Sequence, residues 1–311
     1  MSSWTDQARR SALAAGQRSL ALSTSRTGRA FGLFAGAVLF VVLGVRLGLR
    51  VRAGALDGFS AHPAALIAGV AATIAGNLAL GLSWRFTLGA LGVETSPLRA
   101  SAALLAAQVG KYIPGGVAQV VSRVAVSTRV GVPAGMATRG LLLEAGLLVS
   151  GAGLCALLWL LPWTLWVGVV GAGLLGAALL LHSRRRSAVL ALACHVGVFV
   201  GYGTGALALA HGAGYTAGGG WTHLSGAYAI AWIAGFLVLI APGGLGVREA
   251  VFVALLAPSL GSTQALSLAV GLRVVSLLVD LLTGLLGAMV LQRTARGSGT
   301  TPHSPQATLA E

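Results

Sequence analysis

Apolar residues run through this chain in long blocks rather than in a two-residue or heptad alternation. Six blocks are long enough to cross a bilayer, at about 20 residues per helical crossing. They cover residues 30–49, 62–85, 134–160, 163–182, 187–211 and 262–291. Two further blocks are interrupted. Pro114-Gly115-Gly116 breaks the stretch 98–133, and Pro242-Gly243-Gly244 breaks the stretch 222–260. Proline lacks the N–H that an interior helical turn needs, and paired glycines loosen the backbone next to it. In lipid such a break survives only where protein or a wet cavity covers the freed backbone groups. The pattern predicts an all-α, polytopic integral membrane protein of eight hydrophobic segments, six full spans plus two Pro-Gly-Gly re-entrant hairpins.

The polar segments complete the layout. Residues 1–29 are polar and Arg-rich, with no small-residue cleavage site after the first apolar block, and read as a cytoplasmic basic tail. Residues 293–311 are rich in Ser, Thr and Pro and read as a disordered tail. Between them, 30–292 forms one membrane domain with halves 30–160 and 163–292. With the basic tail inside, Arg85, Arg99, the triplet Arg184-Arg185-Arg186 and Arg293 all fall on the cytoplasmic side if both hairpins return to the side they came from. Arg46, Arg50 and Arg52 then lie near the outer face, against that bias. The two triplets are 128 positions apart, and the same shift brings 134–160 onto 262–291 and 62–85 onto 187–211. Each half becomes span, span, hairpin, span, in opposite orientation. An inverted-topology repeat of this kind is the plan of many secondary transporters.

Composition narrows the function class. Of 311 residues, 56% are apolar and 9% charged, against about 25% charged in soluble domains. The net charge is +14, with Lys111 the only lysine. No RNP, helix-turn-helix or zinc-finger pattern accompanies it, so membrane topology explains it better than nucleic acid does. Cys155 and Cys194 sit within apolar blocks and read as packing residues, and no metal-ligand or redox spacing is present. Neither a Walker loop nor GxSxG nor HExxH occurs. The expectation is a protein without cofactor or metal and without enzymatic activity.

The ionisable residues inside the apolar blocks are the candidates for chemistry. Each costs roughly 2.5–3.5 kcal/mol at the centre of a helix on insertion scales. The acids are Glu144, Glu249 and Asp280, and the bases include Lys111, Arg123, Arg248 and Arg273. Arg273 and Asp280 are two helical turns apart and share a face with Ser276 and Thr283. That stripe must face protein or water. Glu144 has no local partner, and Lys111 or Arg123 on the first hairpin is the natural one. Arg99, Arg129 and Arg139 read as snorkelling to the interface. His195 and His211, in one span, read as packing or interface residues. Around each break, exposed N–H groups and nearby cations make an anion site. The residues concerned are Lys111, Tyr112, Pro114, Gly115, Gly116, Gln119 and Arg123 at the first, and Pro242, Gly243, Gly244, Arg248 and Glu249 at the second.

The motifs GKYIPGG with Gln119 and Arg123, LLLE at 141–144, and APGGLGVREA at 241–250, followed by Arg273 and Asp280, resemble those of the lysylphosphatidylglycerol synthase transmembrane-region family. The resemblance spans about 30–292. It implies a helical membrane domain that handles lipid, with translocation between leaflets as the role assigned to fused members. Those members carry a soluble aminoacyl-transferase domain after the membrane part. This chain ends about twenty residues beyond its last span, so synthesis of lysylphosphatidylglycerol is not expected of it. The leading expectation is a flippase or transporter in the bacterial cytoplasmic membrane, both termini cytoplasmic. It would move an anionic phospholipid or lipid-linked substrate by alternating access. The alternatives are a scaffold subunit of an envelope pathway, with a homo-oligomer or biosynthetic partner, and an intramembrane lipid-phosphate enzyme.

Overall fold

A computed structural model describes Val45 and residues 62–112, 117–159, 183–215, 220–238 and 242–297. The sequence-defined spans 30–49 and 163–182, the tail 1–29 and the triplet Pro114-Gly115-Gly116 lie outside these residues, Val45 apart. The described chain is all helical, with eight α-helices. We number them α1 (Pro63–Ala90), α2 (Pro97–Ala107), α3 (Val117–Arg129), α4 (Ala134–Leu158), α5 (Ser183–Gly212), α6 (Gly220–Leu237), α7 (Val247–Leu260) and α8 (Ser262–Gly297). Short 3₁₀ turns follow α2 at Gln108–Tyr112 and precede α7 at Pro242–Gly244. Pro63 and Pro97 open their helices in the first turn, where a missing N–H costs nothing.

Four helices are long and apolar enough to cross a membrane: α1, α4, α5 and α8. Their outward faces are apolar, as those of a lipid-bathed helix are. Ile67, Leu142, Leu278, Leu281 and Leu285 point outward and exposed. The two interrupted blocks appear as helix–break–helix units, α2 to α3 and α6 to α7. Two boundaries differ from the sequence reading. The helix α8 continues to Gly297, past Arg293 where the sequence places the tail. The triplet Arg184-Arg185-Arg186 lies in the first turn of α5 rather than between spans. Arginine is a good helix former, so an apolar run can end before its helix does.

The helices α1 and α5 make the most extensive pairing. They run antiparallel: Gly69 meets Leu209, Gly76 meets Gly201, and Gly89 meets Ser187. A Cβ on Gly201 would lie 2.6 Å from Gly76 Cα, so only glycine permits this approach. Gly92 touches Arg184 and Gly140 touches Trp84. Arg85, Arg139 and the arginine triplet therefore share one end of the bundle.

Two cores result. Phe199, Tyr202, Leu224, Tyr228, Phe252, Leu256 and Leu272 fill the larger, between α5, α6, α7 and α8. Trp84, Leu88, Leu104, Val132 and Ala137 fill the smaller, between α1, α2 and α4.

Candidate functional site

The inward face of α8 is polar. Arg273, Ser276, Asp280 and Thr283 are all buried, as their spacing requires. Ser276 Oγ donates to the Arg273 carbonyl (2.8 Å) and Thr283 Oγ1 to the Val279 carbonyl (2.7 Å). Asn77 of α1 donates to Thr283 Oγ1 at 2.8 Å. Hydroxyls are thereby satisfied within the helix, and the two charged groups turn to other elements.

Those elements are the helix breaks. Lys111 and Tyr112, at the end of the first 3₁₀ turn, both reach Asp280 Oδ2, Lys111 Nζ at 2.7 Å and the Tyr112 hydroxyl donating at 2.5 Å. Arg273 reaches the second break. Its terminal nitrogens donate to the Gly243 carbonyl at 3.5 and 3.4 Å, and its Nε lies 3.4 Å from Glu249 Oε1. The Tyr112 ring lies beneath both cations, 5.3 Å from Lys111 Nζ and 5.9 Å from the Arg273 guanidinium carbon. The two breaks are thus tied together through α8. Gly243 and Gly244 have φ of +59° and +68°, a region that side chains disfavour, which is why glycines stand here. Glu249, at the third position of α7, also accepts from Gly246 N–H at 2.5 Å and so caps that helix.

Arg248 completes the cluster. It forms no ion pair among the described residues. Its Nη1 donates to the Tyr228 hydroxyl at 3.4 Å, and its guanidinium stands 5.6 Å from the centre of the Tyr228 ring. Arg248, Glu249, Arg273, Tyr228, Phe252 and Ser276 line a cavity of about 20 Å³, room for about one water molecule. Three cations (Lys111, Arg248, Arg273) therefore face two carboxylates (Glu249, Asp280). The cluster holds one uncompensated positive charge in a low-dielectric surround. That combination favours an anion.

A second, neutral cluster lies beside the smaller core. Glu144, 2% exposed, receives Arg123 of α3 at 2.6 and 2.8 Å. The Arg123 guanidinium stands 5.1 Å from the Trp84 ring centre. Of the two partners open to Glu144 in sequence, the structure chooses Arg123, and Lys111 goes to Asp280 instead. Gln119 donates to Gln108 at 3.4 Å, bridging α3 to the turn after α2. The site residues of the sequence reading therefore divide between two places. Pro242 lies in the second 3₁₀ turn, and Pro114, Gly115 and Gly116 fall outside the described residues. Arg99, Arg129 and Arg139 are exposed, as snorkelling residues are.

Sequence reasoning missed Tyr228, Trp84, Asn77 and Gln108. Aromatic residues in apolar blocks read as packing, and only the cations opposite them give them another use. Buried Asn77 was the one visible signal, being a costly residue in a span. No group of three His, Cys, Asp or Glu able to hold a metal occurs among the described residues. Comparison with protein-family models and with curated proteins finds no match.

Proposed function

We propose that this protein moves an anionic phospholipid or a lipid-linked anion between the leaflets of the bacterial cytoplasmic membrane, without enzymatic activity. The observation that carries the reading is Arg248. It is a guanidinium with no ion-pair partner among the described residues, lining a cavity with Glu249 and Arg273 between α6, α7 and α8. Phosphate-bearing headgroups match such a site, because guanidinium forks and helix N-termini both favour phosphate oxygens.

The architecture supports transport over static binding. Each described half has a long helix, a helix–break–helix unit and a second long helix: α1, α2–α3, α4, and then α5, α6–α7, α8. The corresponding helices α1 and α5 run antiparallel. In our proposal the two units are re-entrant hairpins from opposite faces, and the spans outside the described residues complete six crossings. Both termini are cytoplasmic, and the end of the bundle bearing Arg85 and Arg184 faces the cytoplasm. Rocking of the halves would expose the site to each side in turn.

The test is lipid mass spectrometry on gently extracted protein, with Arg248→Ala and Arg123→Ala beside the wild type, followed by reconstitution with fluorescent phosphatidylglycerol. The expected result is an anionic lipid retained by the wild type and lost from Arg248→Ala, together with movement of labelled lipid between leaflets. Equal lipid content in all three proteins, with no transfer, would refute the proposal. Co-purification of a stoichiometric partner whose activity survives Arg248→Ala would establish the scaffold reading instead.

A further inference from the structure

The neutral cluster has a member that the lipid site does not use. His195 of α5 is 0% exposed. Its Nδ1 lies 2.7 Å from the Ala191 carbonyl. A carbonyl only accepts, so Nδ1 carries the proton and Nε2 presents a bare lone pair. That lone pair has no hydrogen-bond partner. Glu144 lies seven positions before Gly151, on the face of α4 that Gly151 turns to His195, and Arg123 of α3 is bound to Glu144, so that both charges act on the ring. The other helices packed on α5, namely α1, α6 and α8, set no charged group against it among the described residues. Gly151 of α4 passes against the His195 backbone, holding α4 and α5 close at this level. Folding leaves that acceptor unmet, at a cost in stability.

We infer that His195, Glu144 and Arg123 form a proton-binding site that gates the lipid path, a proposal that rests on the transport reading above. A proton from water adds to the Nε2 lone pair, Nδ1 keeps its own, and the ring goes from neutral to singly positive. Glu144 then has two cations to balance instead of one. Its hold on Arg123 weakens, and Arg123 sits on α3, the helix that follows the first break. Protonation thus frees the hairpin to move and gives an anionic headgroup a second guanidinium. The ring is sealed in this conformation, so loading occurs in one where α3 has shifted.

The test uses full-length protein in phosphatidylcholine vesicles containing fluorescent phosphatidylglycerol, assayed from pH 5 to 8. His195→Asn keeps an amide donor for the Ala191 carbonyl and removes the second nitrogen. Wild-type transfer should rise as pH falls, by up to about tenfold per pH unit for one proton. His195→Asn should transfer lipid with no such dependence. A pH-independent wild type, or an unchanged dependence in His195→Asn, overturns the inference while leaving lipid transport standing. If no sample transfers lipid, the transport reading fails and the proton site is judged separately by ¹⁵N-histidine NMR in nanodiscs. There the His195 signal, identified by its loss in His195→Asn, should pass from neutral to singly positive imidazole as the pH is lowered. In Glu144→Gln, which leaves the imidazolium without a carboxylate, that titration should vanish. A His195 that stays neutral throughout overturns the proposal.

Discussion

Asp280 holds the first helix break against α8, and its removal gives a sharp measure of that bond. In Asp280→Asn the charge disappears while the shape remains. Asp280 is 2% exposed and the Lys111 side chain 22%. Stripping one partner from a buried pair costs about 3–5 kcal/mol. The residual exposure lets the Lys111 ammonium recover some solvation, so a loss near 3 kcal/mol is expected. Tyr112 can still donate to the new amide oxygen, and a neutral bond of that kind retains about 1 kcal/mol. Lys111→Met should cost a similar amount, because it leaves Asp280 buried with Tyr112 as its remaining donor among the described residues. The double variant should lose far less than the sum, since two neutral side chains no longer strand a charge. The coupling should be about 2 kcal/mol, well above the ~0.5 kcal/mol scatter of independent sites. Equilibrium unfolding in mixed micelles, titrated with sodium dodecyl sulfate, reads all four proteins. Additive single losses, or single losses below about 0.5 kcal/mol, would show that the pair does not hold the break in place.

Five further outcomes follow from packing and charge. A Cβ on Gly203 would lie 2.7 Å or less from three Ser225 atoms, so Gly203→Ala should force α5 from α6 and cost at least about 2 kcal/mol. Gly146→Ala, where a Cβ meets nothing within 4 Å, should be neutral or stabilising by up to about 1 kcal/mol in the same unfolding assay. Thr283→Val leaves the Asn77 amide without its acceptor and should cost about 1–3 kcal/mol, with little loss of lipid binding. Arg248→Met removes the one surplus cation, so it should abolish lipid retention by mass spectrometry while the unfolding midpoint holds. Glu249→Gln should do the opposite to stability, losing about 3 kcal/mol as Arg273 is left without its carboxylate.

The helix breaks and the polar stripe of α8 were legible because both are local. Pro-Gly-Gly stops a helix wherever it occurs, and residues seven apart share a face whatever surrounds them. The long helices were legible for the same reason, as continuous apolar blocks. The choice between Lys111 and Arg123 for Glu144 was not. It depends on where α3 and the turn before it are set down against α4 and α8, and no pattern within a segment encodes that. Arg248 was legible as a charge but not as a surplus one, because its freedom depends on Glu249 being engaged by Arg273 and by the Gly246 N–H. His195 lay hidden for a related reason. An imidazole in a span is ordinarily satisfied, and only the packed structure shows one nitrogen met and the other bare.

The economy of charge explains why the breaks meet at all. The lipid-facing sides of the four long helices are apolar and accept many neighbours almost equally well. Lys111, Arg248 and Glu249, next to unwound backbone, do not. Stranded in lipid, each would cost several kcal/mol, and the freed carbonyls of the breaks would add to that. One arrangement answers most of these demands together. The first break gives Lys111 and Tyr112 to Asp280, and the second gives its Gly243 carbonyl and Glu249 to Arg273. Both acceptors and donors lie two turns apart on α8, so one helix face sets the spacing of both breaks. The site is therefore built from the same interactions that select the fold. Arg248 stands outside that mutual satisfaction, a charge that folding leaves unanswered and that a bound anion would answer.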